Sequence, residues 1–186
     1  DSDKKLFYYC LWPVSRYLAH VSSLKTFDPA EIFRVIKSIP KTKNTRVHID
    51  LIDCVINLPP KFAKEFINEV EEWLNFPFQH FLPEKVASLI IHLCEGEEIE
   101  KALQLTKSLF EVKSDSKKLK KTRLKIPVTP KARFETWYYE DEFNKVIPIL
   151  VKKSGIKALE CVSDLFREAL DIRNQNNKVR GYEDYS

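Results

Sequence analysis

Four cysteines (Cys10, Cys54, Cys94, Cys161) and four histidines (His20, His48, His80, His92) are the side chains here with the chemistry for nucleophilic catalysis or metal binding. Their spacing argues against both. No CxxC pair occurs, and each cysteine lies in an apolar stretch, where a free thiol behaves as a small hydrophobe. His92 and Cys94 are the closest His–Cys pair. Residues two apart on a helix face different ways, and no second pair completes a four-ligand zinc set. Glu140, Asp141 and Glu142 are adjacent carboxylates, which a helix splays apart; acids at a helix start are expected from the dipole. With 3 glycines in 186 residues, no glycine-rich phosphate loop can be built. The sequence therefore predicts no catalytic, cofactor-binding or metal-binding residue, and no small-molecule ligand.

Charge is the second place to look for function. The net charge of +4 is unevenly distributed: residues 113–133 hold nine basic side chains and one acid, Asp115. The rest of the chain is mildly acidic. Lys117, Lys118, Lys120, Lys121, Arg123 and Lys125 could neutralise phosphates, meet an acidic protein face, or keep a loop solvated. The stretch has no interleaved aromatics of the kind single-strand binding favours. Aromatics follow it instead, with Trp137 and Tyr138 as candidate anchors or partner contacts. These eight residues are the candidate contacts for a partner. A protein, or another domain of the same polypeptide, is expected ahead of nucleic acid.

The elements that must position these groups read as short helices. Apolar residues recur at i, i+3, i+4 nearly throughout, and the low glycine count leaves little room for the tight turns of a sheet protein. Pro13 is expected in the first turn of a helix, after the tail of an earlier one at Leu6–Leu11. Asp28-Pro29 and Asn44-Thr45 read as helix caps, Pro40 and Pro59-Pro60 as breaks, and Gly96 as a stop before a helix starting at Glu97. Pro148 predicts a kink. The expected buried stripes include Ile32, Val35, Ile36 and Ile39, and later Leu159, Val162, Leu165, Phe166 and Leu170. Short turns then give helix pairs at 13–39, 44–74, 83–111 and 138–175, the last pair following an insertion.

Two-helix units at intervals of 31 and 39 residues place the chain among helical repeat proteins. The segments Asp28-Pro29-Ala30-Glu31-Ile32, Asn44-Thr45-Arg46-Val47-His48-Ile49-Asp50-Leu51 and Leu58-Pro59-Pro60 resemble HEAT repeats, where a polar capped turn precedes an apolar helix and an arginine or aspartate links neighbours. The tetratricopeptide pattern is absent. The resemblance implies an all-α superhelix, a HEAT/armadillo-like solenoid of about four antiparallel pairs. It would be organised as repeats over 1–112, a basic proline-containing insertion at 113–133, and a final pair with a polar tail over 134–186. A fainter likeness to helical regions of large multidomain bacterial proteins implies a scaffold, or an accessory region to chemistry performed elsewhere. Methionine is absent and the chain begins at Asp1, so a fragment of a larger protein is expected, with Phe7, Tyr8, Leu11 and part of the last helix uncovered. The free cysteines and the lack of a long apolar run lead to an expected cytoplasmic, membrane-free protein.

Overall fold

Helix caps set where this chain turns, and the caps are built as the residue types dictate. The computed structural model describes the backbone of residues 2–24, 26–75, 82–113, 131–132 and 140–180, and the side chains within 12–24, 26–75, 82–112 and 140–175. The Asp28 side chain accepts a hydrogen bond from the Ala30 amide at 3.0 Å, which starts α2 (Pro29–Ser38) with proline in its first turn. Asn44 accepts from the Arg46 amide at 3.0 Å and starts α3 (Thr45–Asn57). Each satisfies one of the amides a helix N-terminus leaves without a partner.

Among the described residues the chain is all-helical apart from one minimal ladder. Helix α1 (Ser2–Ser23) precedes α2 and α3; then come α4 (Pro60–Ala63), a 3₁₀ turn (Lys64–Phe66) and α5 (Ile67–Leu74). Helices α6 (Leu82–Glu95) and α7 (Ile99–Phe110) follow, and α8 (Glu140–Ser154) and α9 (Ile156–Arg180) come last among the described residues. Two-residue strands β1 (Val112–Lys113) and β2 (Lys131–Ala132) pair antiparallel, Val112 opposite Ala132 and Lys113 opposite Lys131.

The packing is two-layered. Helices α1, α3, α6 and α8 each lie against the next in one layer. In the other, α2 meets the α4 region through Phe33, whose ring lies 5.1 Å from that of Phe62 and 5.4 Å from that of Phe66; α5 lies against α7, and α7 against α9. A single core runs between the layers. Val47, Ile52, Val55, Leu89, Ile90, Leu93, Leu105 and Leu109 are fully buried in it. By transfer energies each such side chain contributes roughly 1.5–3 kcal/mol relative to exposure, so packing outweighs the exposed ion pairs, each about 0–1 kcal/mol.

Several boundaries differ from expectation. Pro13 lies inside the 22-residue α1 rather than at a start. An interior proline removes one hydrogen bond and costs about 3 kcal/mol, and the long packing of α1 on α3 outweighs that. Pro148, by contrast, lies inside α8, where the apolar pattern of the sequence placed it. Helix α7 begins at Ile99, two residues after Glu97. Val35 is exposed, while its neighbours Ile32 and Ile36 are buried. On α9, Ala158 and Leu165 face the core; Leu159, Phe166 and Leu170 face solvent.

The two glycines at helix ends serve different needs. Gly96 sits where a Cβ would fall within the Pro60 ring, so the turn after α6 can approach the start of α4 only with no side chain. The left-handed position falls instead on Glu97, φ 63°. The Glu97 amide donates to the Cys94 carbonyl at 3.2 Å and the Glu98 amide to that of Leu93 at 2.9 Å, closing α6 with a Schellman-type end. Gly155, φ 54°, has open space around it and alone separates α8 from α9.

Candidate partner-binding surface

Two cysteines and two histidines among the described residues are engaged in structure. Cys54 and Cys94 are buried, and desolvation pushes their thiols up to about 12 and about 11. Half-buried Cys161 is raised by the same cause. A thiol in this range stays protonated at neutral pH and is a poor nucleophile. The side chain of Cys10 lies outside the described residues.

Two of the histidines hold backbone, while His20 on α1 is exposed. His92 Nε2 donates to the Leu58 carbonyl at 2.8 Å, satisfying the residue that caps the end of α3. His48 Nε2 donates to the Thr42 carbonyl at 2.9 Å, and its ring stacks on Trp73 with centroids 4.8 Å apart and planes 5° from parallel. Burial lowers its pKa from the ordinary 6.5, so the neutral ring is the one stacked there. His80 and the aromatic connector at 76–81 lie outside the described residues. Glu140, Asp141 and Glu142 occupy the first turn of α8, as the dipole argument anticipates.

Polar side chains instead tie each helix pair to the next. Buried Asp50 accepts from Ser15 Oγ at 3.0 Å and from Arg16 Nη1 at 3.3 Å. Asn57 donates to Ser22 Oγ, Lys85 pairs with Asp53, and Lys64 with Glu98. In the second layer Lys37 pairs with Glu69, Lys41 with Glu72, and Glu71 accepts from Gln104 and from Ser108. These links span 31 to 37 residues. Arg46 lies 4.6 Å from the Trp12 ring centre, again across one such step. The fourth pair joins through Lys157–Glu100 and Lys107–Glu168, after the longer interval of the insertion.

What remains for a partner is surface. Among the described residues the exposed large apolar side chains fall in the first and last pairs: Trp12, Val14 and Tyr17 on α1, Leu24 and Phe27 between α1 and α2, Val35 on α2, and Ile156, Leu159, Phe166 and Leu170 on α9. Part of the last helix is thus uncovered, as expected; the side chains of Phe7, Tyr8 and Leu11 lie outside the described residues. So do all eight candidate contacts: Lys117, Lys118, Lys120, Lys121, Arg123, Lys125, Trp137 and Tyr138. The structure does fix where the basic segment joins the body, because the β1–β2 ladder brings its two ends together and β1 lies against α9. Sequence reasoning missed that ladder; a two-residue strand carries no periodic signal. Among the described helices none is long and apolar enough to cross a membrane.

Comparison with known protein families, with curated proteins and with solved structures finds no match for this chain.

Proposed function

We propose that this chain is a HEAT-like solenoid of helix pairs acting as a non-enzymatic protein-interaction or scaffold module within a larger cytoplasmic protein. The observation that carries the reading is the similar step, 31 to 37 residues, between linked side chains of the first three pairs in both layers. A chain whose successive pairs join at a similar step builds long surfaces from equivalent helices, and such surfaces recognise extended partners. The engaged state of the buried thiols and of His48 and His92 supports a binding role over a chemical one.

Affinity capture from the source cells tests it. The reading expects one protein to be retained reproducibly, and lost when Tyr17→Glu and Val35→Glu are placed on the exposed first pair. Retention of nothing, or retention indifferent to these changes and to charge reversal in the basic segment, rejects it.

A second reading is nucleic-acid binding through residues 113–133, favoured by their nine basic side chains and by the ladder that holds the segment's ends at one place on the body. A gel-shift series against single-stranded RNA and duplex DNA at rising salt discriminates the two. Retardation that falls steeply with salt, and vanishes when Lys117, Lys118, Lys120 and Lys121 become Glu, supports it; no retardation at low salt removes it.

A further inference from the structure

Helix α9 has two apolar faces, and the stack uses one. Ala158 and Leu165 are buried, while Ile156, Leu159, Phe166 and Leu170 are 55–71% exposed. The exposed set advances by three, seven and four residues, the seam of a heptad with Ile156, Ser163 and Leu170 in one column and Leu159 and Phe166 in the other. Isolated exposed apolar residues are ordinary, but a continuous seam on one helix is a pairing surface.

The charges beside the seam say what pairs with it. Glu160 and Arg167 lie one heptad apart on the same edge, with opposite signs. When two such helices run antiparallel, that edge of one meets the same edge of the other. Glu160 then faces Arg167 of the second copy, and Arg167 faces its Glu160. The same register sets Leu159 against Leu170 and places small Ser163 opposite bulky Phe166. In a parallel pairing the edge would face Val162 and Ala169, and neither charge would find a partner. Arg167 already holds Asp164 at 2.9 Å through one nitrogen, and its guanidinium has further donors to offer. We propose that α9 is a homotypic interface: two copies of this chain pack antiparallel about a two-fold axis near residue 164. The arrangement is isologous, so it closes at a dimer. It rests on the face of α9 alone and stands independently of the solenoid reading.

Sedimentation equilibrium of the intact chain across the micromolar range tests this, with melting temperature as the control for folding. The expected mass is twice the 21.9 kDa of one chain. Phe166→Glu should give a monomer that, compared at a dilution where the wild type is also monomeric, has an unchanged melting temperature, because that side chain is exposed. Glu160→Arg should weaken association about tenfold by placing like charges together twice, and adding Arg167→Glu should restore it. A wild-type monomer at all concentrations overturns the proposal. So does a dimer indifferent to Phe166→Glu, or a charge swap without recovery. A monomer that Phe166→Glu destabilises also overturns it, since the seam would then be covered from within its own chain.

Discussion

Gly96 and Glu97 divide between two residues what one glycine usually does at a helix end. The missing side chain is needed at 96, against Pro60, so the left-handed backbone falls on a glutamate at a cost of roughly 1 kcal/mol. Two substitutions separate the requirements. Gly96→Ala should destabilise by about 1–3 kcal/mol through overpacking, whereas Glu97→Gly should stabilise by up to about 1 kcal/mol; urea unfolding midpoints measure both. The sequence marked Gly96 as a stop but could not reveal this division, because the Pro60 contact comes from a distant part of the chain. His48 illustrates the same limit. Its type and position were visible, but its burial and its stacking on Trp73 are tertiary facts. They have a consequence for pH. Its folded pKa lies below the 6.5 of the unfolded chain, so the unfolded state binds more protons as pH falls below 6.5. The stability His48 contributes is therefore complete above that pH and is lost as pH drops towards its folded value. Melting temperature should decline from pH 7 to pH 5, and His48→Gln, which retains a donor for the Thr42 carbonyl, should flatten the decline.

At the scale of elements, the caps were legible because they are local. Asp28 and Asn44 each reach an amide two residues on, and nothing remote intervenes. Pro148 was legible as an interior proline because the apolar pattern runs through it, but Pro13 was not: Pro13 at a helix start and Pro13 within a helix look alike until the neighbouring helix is known. Both Pro13 and Pro148 are exposed, so replacing either relieves a backbone penalty without opening the core. Pro148→Ala should raise stability by about 1–3 kcal/mol, read from chemical denaturation, and Pro13→Ala should act in the same direction. The last helix shows the opposite problem. Its apolar residues follow helical spacing on two faces, and period alone does not tell which face packs. Only the position of α7 and α8 settles that Leu165 goes in and Phe166 stays out.

Over the whole molecule, burial is deepest from α3 to α7 and thins towards both ends. Of the large side chains that are fully buried among the described residues, nearly all lie between Val47 and Leu109. Local opening should follow the same gradient. Amide hydrogen exchange should be slowest in α3 and α6 and fastest in α2 and the second half of α9; uniform protection would contradict a layered stack. The candidate contacts in the basic segment were found by composition alone, a property independent of fold, which is why a sequence names them and says nothing of what surrounds them. The polar links between pairs were found only in part. The Asp50 segment suggested that an aspartate or arginine joins neighbours, but the partners Ser15 and Arg16 emerge only when α1 and α3 are side by side.

The ladder between Val112–Lys113 and Lys131–Ala132 makes the chain leave and rejoin the body through a single doorway. Segments that enter and exit at one point can lengthen, shorten or change composition without shifting the phase of what precedes or follows them. The ladder therefore makes residues 114–130 a natural segment to exchange. Exchanging them for a short glycine–serine link should leave the thermal transition of the helical stack within a few degrees of the original. The same doorway would let selection rewrite six clustered basic charges, from Lys117 to Lys125, while every helix contact stayed fixed.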